Sequence, residues 1–385
     1  MARIDGNGVI VMNKEKIIKK LSLKTLLFPI FVVIAMIFGL FLGFKFKAES
    51  VYAATYGIPI GLFFMIYPAM SKVILRDFFK SLKDLKSISL MLFLNYLIDP
   101  FLVAGLGYFF FYFIFYQLGL ISFEVAKQAV VGVILLGVAP CIAMVIVWND
   151  LSKGNVAMAV SFVAWNSIIQ IITTPLLVFV LARTTVIIDP FLILESVLLY
   201  LALPLISGII TRKMLSGKTY FSKILNLLSN VQILALLFTI LVMFWSEGYG
   251  ILEYPSLIWM MAIVMLTFYF LLFHIGYYLS RKLGYNYSDS TAIGYTVAAR
   301  DFEISIAIAI VAFANYTFVP IITAIGPLLE IPLMLLLVLI QVNYPTLTDG
   351  DSTSSVTLGL LASTAMLAFT CGIRLMYSSM LLVEA

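Results

Sequence analysis

Long apolar runs, separated by short polar segments, follow one another along most of the chain. Most runs have about 20 residues or more, which matches a bilayer core of roughly 30 Å crossed at 1.5 Å per residue. They lack the alternation of apolar and polar positions that is typical of membrane strands, so a β-barrel is not expected. The pattern predicts ten membrane-spanning helices, at residues 25–44, 56–75, 88–116, 128–148, 156–182, 192–211, 227–246, 256–280, 288–313 and 316–342.

The composition agrees with a chain that lives in lipid. The 385 residues are 63% hydrophobic and only 11% charged, and the mean hydropathy is +1.11. A soluble domain of this length needs a largely polar surface, which this chain cannot supply, so its outer surface must face the lipid bilayer. The predicted fold class is an all-α polytopic membrane protein.

The cationic side chains predict the orientation of the chain. Most of the 24 Lys and Arg residues lie in the N-terminal segment and in alternate loops, whereas the opposite loops carry only Lys45, Lys47, Lys127 and Arg183. Because cytoplasmic loops are enriched in Lys and Arg, the N-terminus is expected in the cytoplasm. The net charge of +5 is explained by these loops and does not indicate a nucleic-acid partner.

Ten spans divide into two halves of five, and an odd number of crossings means that the second half enters the membrane inverted. In transporters built this way the solute site lies near the membrane midplane, between broken helices. After residue 355 a further apolar run predicts either an eleventh span or a loosely attached tail. The expected organisation is a basic cytoplasmic N-terminus at 1–24, a first five-helix repeat at 25–182, an inverted second repeat at 192–342 and the tail at 343–385.

The fourth span contains a proline followed directly by a cysteine, Pro140 and Cys141. Pro140 removes a backbone donor and breaks the helix inside the membrane, which frees backbone groups to face a solute. The Cys141 thiol is the softest protein ligand and suits a thiophilic solute. The alternative is that Cys141 is simply a small buried residue, as many cysteines are.

A carboxylate lies in the tenth span between two prolines, Pro327 and Pro332. Glu330 is costly in lipid if it is ionised and unpaired, so it should be protonated, paired or bound to an ion. A carboxyl that exchanges its proton would suit proton coupling. The alternative is that Glu330 only bonds a neighbouring helix.

Three charged residues occur within four positions of the ninth span, at Arg300, Asp301 and Glu303. At that depth they cannot face lipid. Arg300 is expected to pair with Asp301 or Glu303, which would be a structural role. The same three side chains could instead line the solute path.

Other polar residues in the spans are expected mainly to bond neighbouring helices. They are Asn95 and Asp99 in span 3, and Trp165, Asn166 and Gln170 in span 5. His274 has no clustered partner, so a zinc site is not expected. The sequence has no Walker A pattern and no Asp-rich metal motif, which argues against an ATP-driven pump, a membrane transferase or a resident cofactor.

Several segments together resemble one family. The segments APCIAMV (139–145, followed by Trp148) and GPLLEIP (326–332) resemble the two signatures of arsenite efflux permeases of the arsenical-resistance type. These permeases belong to the bile-acid/sodium symporter superfamily. The segments MIYP (65–68), LNYLI (94–98) and Phe302-Glu303 also fit, and the resemblance covers about residues 20 to 343.

The resemblance implies a fold of ten helices in two inverted five-helix repeats, with a panel domain and a core domain whose broken helices 4 and 9 cross. It implies that the cysteine and the glutamate needed for transport fall on Cys141 and Glu330. Family members expel arsenite, and some also antimonite, across the plasma membrane at the expense of the proton gradient. This chain departs from the family at Arg300-Asp301, where small polar residues are usual, and in its tail.

The sequence therefore predicts a secondary active transporter that extrudes arsenite, without a metal cofactor. Cys141 would contact the metalloid, with Pro140 and Asn166 beside it, and Glu330 would couple transport to protons together with Arg300, Asp301 and Glu303. The nearest alternative is a sodium-coupled symporter of organic anions, in which Asp301, Glu303 and Asn166 bind the ion. A membrane-embedded enzyme lacks a visible catalytic cluster, and a channel would show flux that does not saturate.

Overall fold

The computed structural model describes residues 3–4, 10–11, 23–72, 84–142, 144–183, 185–187, 189–215, 218 and 220–343. The tail at 344–385 and most of the N-terminal segment lie outside the described residues, so their expected roles stay predictions. Two short strands, β1 (Arg3–Ile4) and β2 (Ile10–Val11), pair antiparallel with Arg3 opposite Val11.

Helices make up nearly all of the remaining described chain. They are α1 (Leu23–Lys45), α2 (Ser50–Ser71), α3 (Leu85–Tyr116), α4 (Phe123–Val138), α5 (Met144–Leu151), α6 (Val156–Ala182), α7 (Pro190–Leu215), α8 (Phe221–Glu253), α9 (Pro255–Lys282), α10 (Tyr287–Ala298), α11 (Phe302–Ala312) and α12 (Phe318–Asn343). Seven of the described helices, α2, α3, α6, α7, α8, α9 and α12, are long and apolar enough to cross a membrane. The all-helical membrane class is confirmed, whereas the inverted repeat of ten crossings stays a prediction.

Two of the predicted spans are not single helices. Span 128–148 is divided between α4 and α5, and span 288–313 is divided between α10 and α11. Within the described residues, each of the other predicted spans coincides with one helix and differs from it by up to seven residues at either end. The apolar pattern gave the helix lengths well because the length of such a run is set by the thickness of lipid it must cross.

Short π-helical turns interrupt three of the long helices ahead of a proline. They cover Ala53–Gly57 in α2, Leu94–Ile98 in α3 and Leu198–Ala202 in α7. A proline follows two residues after each turn, at positions 59, 100 and 204. Because proline cannot donate the next i→i−4 hydrogen bond, the helix widens locally at that point.

The helices pack in two groups. In the four-helix group, α8 packs along α1 and α2, and α7 packs on α2. In the junction group, α9 packs on α10 and α12, and α4 packs on α3, α6 and α12. The groups meet where α7 contacts α6 and α11 and where α8 contacts α12. A path for a solute between the groups would therefore run along α6, α11 and α12.

The four-helix group is held by close backbone contact. A Cβ atom built on Gly39 of α1 would lie 2.5 Å from the Leu241 carbonyl oxygen of α8. One turn later, a Cβ atom on Gly43 would lie 2.7 Å from the Trp245 carbonyl oxygen. Such small residues let membrane helices approach closely, which supplies the packing attraction that lipid-immersed helices depend on.

Candidate functional site

The two helix breaks are joined to each other by backbone hydrogen bonds. Pro140 and Arg300 form an isolated antiparallel bridge. The Cys141 amide donates to the Ala299 carbonyl at 3.1 Å, and the Asp301 amide donates to the Ala139 carbonyl at 2.8 Å. These two segments, residues 139–142 and 299–301, are called the junction below. The C-terminal ends of α4 and α10 both point into it.

The first break follows from Pro140. The residue before a proline is pushed out of the helical region, and Ala139 adopts extended backbone with φ −109° and ψ 97°. The second break has no proline. There α11 restarts with Asp301 as its N-cap, whose Oδ1 accepts from the Ile304 amide at 3.2 Å, and Glu303 lies in the first turn. Acidic residues are favoured at both positions because they face the positive end of the helix.

Arg300 is buried at the junction and is 1% exposed. Its guanidinium makes an ion pair with Asp99 of α3. It also donates to the carbonyls of Gly137 at 3.2 Å and Ala298 at 3.4 Å, and to the carbonyl of Val297. The expected pairing with Asp301 or Glu303 was wrong. The Asp301 side chain caps the start of α11, whereas the guanidinium turns back toward Asp99 of α3.

The thiol and the carboxyl singled out from the sequence are both within electrostatic range of one tyrosine, Tyr269. Cys141 and Glu330 are both buried, at 3% and 4% exposure. Tyr269 of α9 is within electrostatic range of both, and of Arg300 and Glu303. Sequence reasoning missed Tyr269, because nothing in its apolar segment LTFYFLL distinguishes it from a core aromatic.

Glu330 belongs to a carboxyl cluster with Asp301 and Glu303. Both of these carboxyls are within electrostatic range of Glu330, and Trp148 of α5 borders it. The Trp148 indole N–H faces the Glu330 carboxyl as a hydrogen-bond donor, and the Asp301 and Glu303 carboxyls are within hydrogen-bonding reach of each other. Neighbouring buried carboxyls oppose one another's ionisation, so the cluster is suited to hold exchangeable protons.

An amide cluster lies between α3 and α6. The Asn95 amide donates to Asn166 Oδ1 at 3.3 Å, and the Tyr96 hydroxyl donates to the Asn166 carbonyl at 3.3 Å. Within the described chain, Asn166 Nδ2 and both polar atoms of buried Gln170 have no partner. One turn beyond Gln170, the Thr174 hydroxyl donates to the Val138 carbonyl at 3.2 Å, which ties α6 to the end of α4. The cluster therefore lies beside the junction.

The remaining candidates are His274, Trp165 and Asp99. His274 stacks on Phe270 with ring centroids 4.8 Å apart, and its Nδ1 lies 2.6 Å from the Phe270 carbonyl oxygen. Trp165 packs, half-buried, against the core. Asp99, expected only to bond a neighbouring helix, provides the negative partner of Arg300 at the junction.

Comparison with known proteins identifies the family of the chain. The model of the Sodium Bile acid symporter family matches residues 59–254. The chain is 34% identical to an uncharacterized transporter of Synechocystis, over 75% of this chain and 79% of the relative. It is 32% identical to the arsenical-resistance protein Acr3 of Alkaliphilus metalliredigens, over 75% of this chain and 82% of the relative. The Acr3 protein of Corynebacterium glutamicum is 29% identical, over 85% and 94%.

The family model covers the first break, between α4 and α5, and the matches concern transporters rather than enzymes. A function assigned from the family must account for three features of this site. They are the buried thiol, the carboxyl cluster and the two bridged helix breaks. The chain belongs to the sodium/bile acid symporter family of multi-pass membrane transporters, with the Acr3 arsenical-resistance proteins among its homologues.

Proposed function

We propose that this protein is a secondary active transporter that extrudes arsenite from the cytoplasm, driven by the proton gradient. The observation that carries the proposal is the position of Cys141. It follows the proline of a helix break, is buried at the junction, and is tied to the second break by the hydrogen bond from its amide to the Ala299 carbonyl. The relatedness to two arsenical-resistance proteins supports arsenite as the solute.

The chemistry of arsenite fits a single thiol. At neutral pH arsenite is mostly uncharged arsenous acid, and its arsenic is soft enough to bond sulfur. When the Cys141 sulfur bonds to arsenic, one As–OH group takes the thiol proton and leaves as water. Addition of water reverses the step and releases the solute. Three thiolates would bind arsenic too tightly for release, whereas one thiolate gives the weak binding that a carrier needs.

The amide cluster supplies groups for the hydroxyls of an uncharged solute. Asn166 and Gln170 offer N–H donors and a carbonyl acceptor that have no partner in the described chain. Buried amides without partners are costly, and that cost is removed if a polar solute or water bonds to them. We infer that Asn166 contacts the solute on the α6 side of the junction, with Cys141 on the opposite side.

Glu330 is proposed as the residue that exchanges protons, with Asp301 and Glu303 as its electrostatic partners. It is buried, and Asp301 and Glu303 are within its electrostatic range. Uptake of a proton from outside would neutralise the cluster as arsenite leaves. Sodium-coupled symport of an organic anion is the alternative, and Asp301, Glu303 and Asn166 would then serve as oxygen ligands for the hard cation.

The packing supports a two-domain mechanism. The four-helix group (α1, α2, α7 and α8) would form the panel, and the junction group would form the core. Counting each broken pair as one crossing, we propose ten crossings in repeats 25–182 and 192–342, with a cytoplasmic N-terminus in the plasma membrane. Rocking of the core against the panel would then expose the junction to either side in turn.

The first experiment is arsenite accumulation in inside-out membrane vesicles, with and without an imposed proton gradient. Wild type is compared with Cys141→Ser, and Cys371→Ser, which changes the other cysteine of the chain, is the matched control. The expected result is gradient-driven accumulation by wild type and Cys371→Ser, and none by Cys141→Ser. Absence of accumulation by correctly inserted wild type would overturn arsenite, and sodium-driven uptake of an organic anion would then be tested.

A further inference from the structure

The C-terminal ends of α4 and α10 both bind the guanidinium of Arg300. The carbonyls that bind Arg300 belong to Gly137, in the last turn of α4, and to Val297 and Ala298, in the last turn of α10. The last carbonyls of a helix have no partner within it, and they carry the negative end of the helix dipole. Arg300 therefore places one positive charge where the negative ends of two broken helices meet.

One carboxylate completes the set of oxygen atoms around the Arg300 guanidinium. Asp99 of α3 is fully buried and pairs with Arg300. The oxygens around the guanidinium thus comprise three backbone carbonyls and one carboxylate. Carbonyls and carboxylates are the ligands that hard cations prefer. In transporters with broken helices, unwound carbonyls and the C-terminal ends of half-helices coordinate Na⁺.

We propose that Arg300 is a tethered cation occupying a site that would otherwise bind an alkali metal ion. Transport by this protein then requires no alkali cation, and removal of the guanidinium turns the site into an alkali-cation site. The part of the inference that concerns transport rests on the proposed function, because it is measured with arsenite. Binding of a cation to the altered protein does not depend on the identity of the solute.

The consequence for coupling is direct. A tethered charge stays with the protein through the whole transport cycle, so it neutralises Asp99 and the two helix ends without carrying any ion across the membrane. The gradient must then be sensed elsewhere, and the carboxyl cluster of Asp301, Glu303 and Glu330 is the group beside the junction that can do so. Arg300 is a positioning and specificity residue rather than a coupling residue.

The test is the melting temperature of purified protein in detergent, measured in chloride salts of Na⁺, Li⁺, K⁺ and choline at equal ionic strength. Wild type should melt at the same temperature in all four. Arg300→Ala should melt lower in choline and regain at least about 2 °C in one of the alkali salts, because a ligand that binds only the folded state stabilises it. The double variant Asp99→Ala/Arg300→Ala should lose this response.

Equal melting of Arg300→Ala in alkali and choline salts would overturn the inference, and so would an alkali-dependent wild type. If Arg300→Ala cannot be purified, Arg300→Gln, which keeps most of the side-chain volume, is measured in the same way. In vesicles, wild-type arsenite transport should be unchanged when choline replaces Na⁺. A loss of at least about tenfold in choline would overturn the inference, whereas a wild type that transports no arsenite in any salt bears only on the proposed function.

Discussion

Pro140 and Arg300 face each other across an antiparallel backbone bridge, although 160 positions separate them in the chain. Each lies at the break of a helix, and the bridge lets the two breaks satisfy each other's backbone groups. Irregular backbone at membrane depth is tolerated only where protein or water provides partners. The bridge is therefore a structural condition for placing Cys141, the residue after Pro140, inside the membrane.

The buried ion pair predicts a large loss of stability when one partner is neutralised. Asp99→Asn leaves the Arg300 guanidinium buried without a counter-charge, and we expect it to lower the free energy of unfolding by about 3–5 kcal/mol. The control is Glu124→Gln, which removes the exposed pair with Lys127 at 2.9 Å and should cost about 1 kcal/mol or less. Thermal unfolding in detergent measures both. A similar small cost for both variants would contradict a buried pair at the junction.

Close packing of α1 on α8 predicts that one methyl group is poorly tolerated at Gly43. A Cβ atom there meets backbone rather than a movable side chain, at 2.7 Å from the Trp245 carbonyl and 3.1 Å from Gly248 Cα. Gly43→Ala should cost about 1–3 kcal/mol. Gly105→Ala, in α3, is the matched control, because nothing lies within 4 Å of a Cβ atom built on Gly105. It should be neutral or stabilise the protein by about 0.5–1 kcal/mol. Equal melting temperatures of the two variants would argue against the contact.

The sequence predicted the helices and the first break because those features depend on local chemistry. Apolar run length follows lipid thickness, and Pro140 cannot continue a helix wherever it lies. The second break has no such signal. Its residues, Ala299 to Asp301, could continue a helix by propensity, and the break is set by its pairing with Ala139 and Cys141. The resemblance implied that break, whereas the local pattern did not.

The sequence did not predict the ion-pair partner of Arg300, for a similar reason. Asp301 and Glu303 are its neighbours in the chain, so they were the expected partners. The start of α11 engages the Asp301 side chain as a cap, and the guanidinium follows the carbonyls at the ends of α4 and α10 instead. Tyr269 was missed because its place within electrostatic range of Cys141 and Glu330 depends on how α9 packs.

The amide cluster predicts that a substitution at Gln170 weakens transport without lowering stability. Neither polar atom of buried Gln170 has a partner in the described chain, so Gln170→Met, similar in volume, should change the free energy of unfolding by less than about 1 kcal/mol or increase it. If the amide bonds the solute, the apparent KM for arsenite should rise about tenfold. Thermal unfolding and vesicle uptake measure the two effects.

Gln128 provides the matched control for Gln170. Its side-chain oxygen accepts from the Phe318 amide at 2.9 Å, at the start of α12. Gln128→Met should therefore lower the free energy of unfolding by about 1 kcal/mol and leave the apparent KM unchanged. A Gln170→Met variant that is destabilised like Gln128→Met and keeps the wild-type KM would show that Gln170 has an internal structural role.

Proton coupling predicts that Glu330→Gln separates solute exchange from energised accumulation. The amide keeps the size of the side chain but cannot exchange a proton, so the gradient should no longer drive arsenite accumulation, and the level should fall to that of protein-free vesicles. Exchange of labelled for unlabelled arsenite across vesicles without a gradient should persist, because Cys141 and the amide cluster are unchanged. Glu195→Gln, at an exposed position of α7, is the control and should behave as wild type. Full gradient-driven accumulation by Glu330→Gln would rule out Glu330 as the coupling residue, and loss of exchange as well would indicate that Glu330 holds the site together.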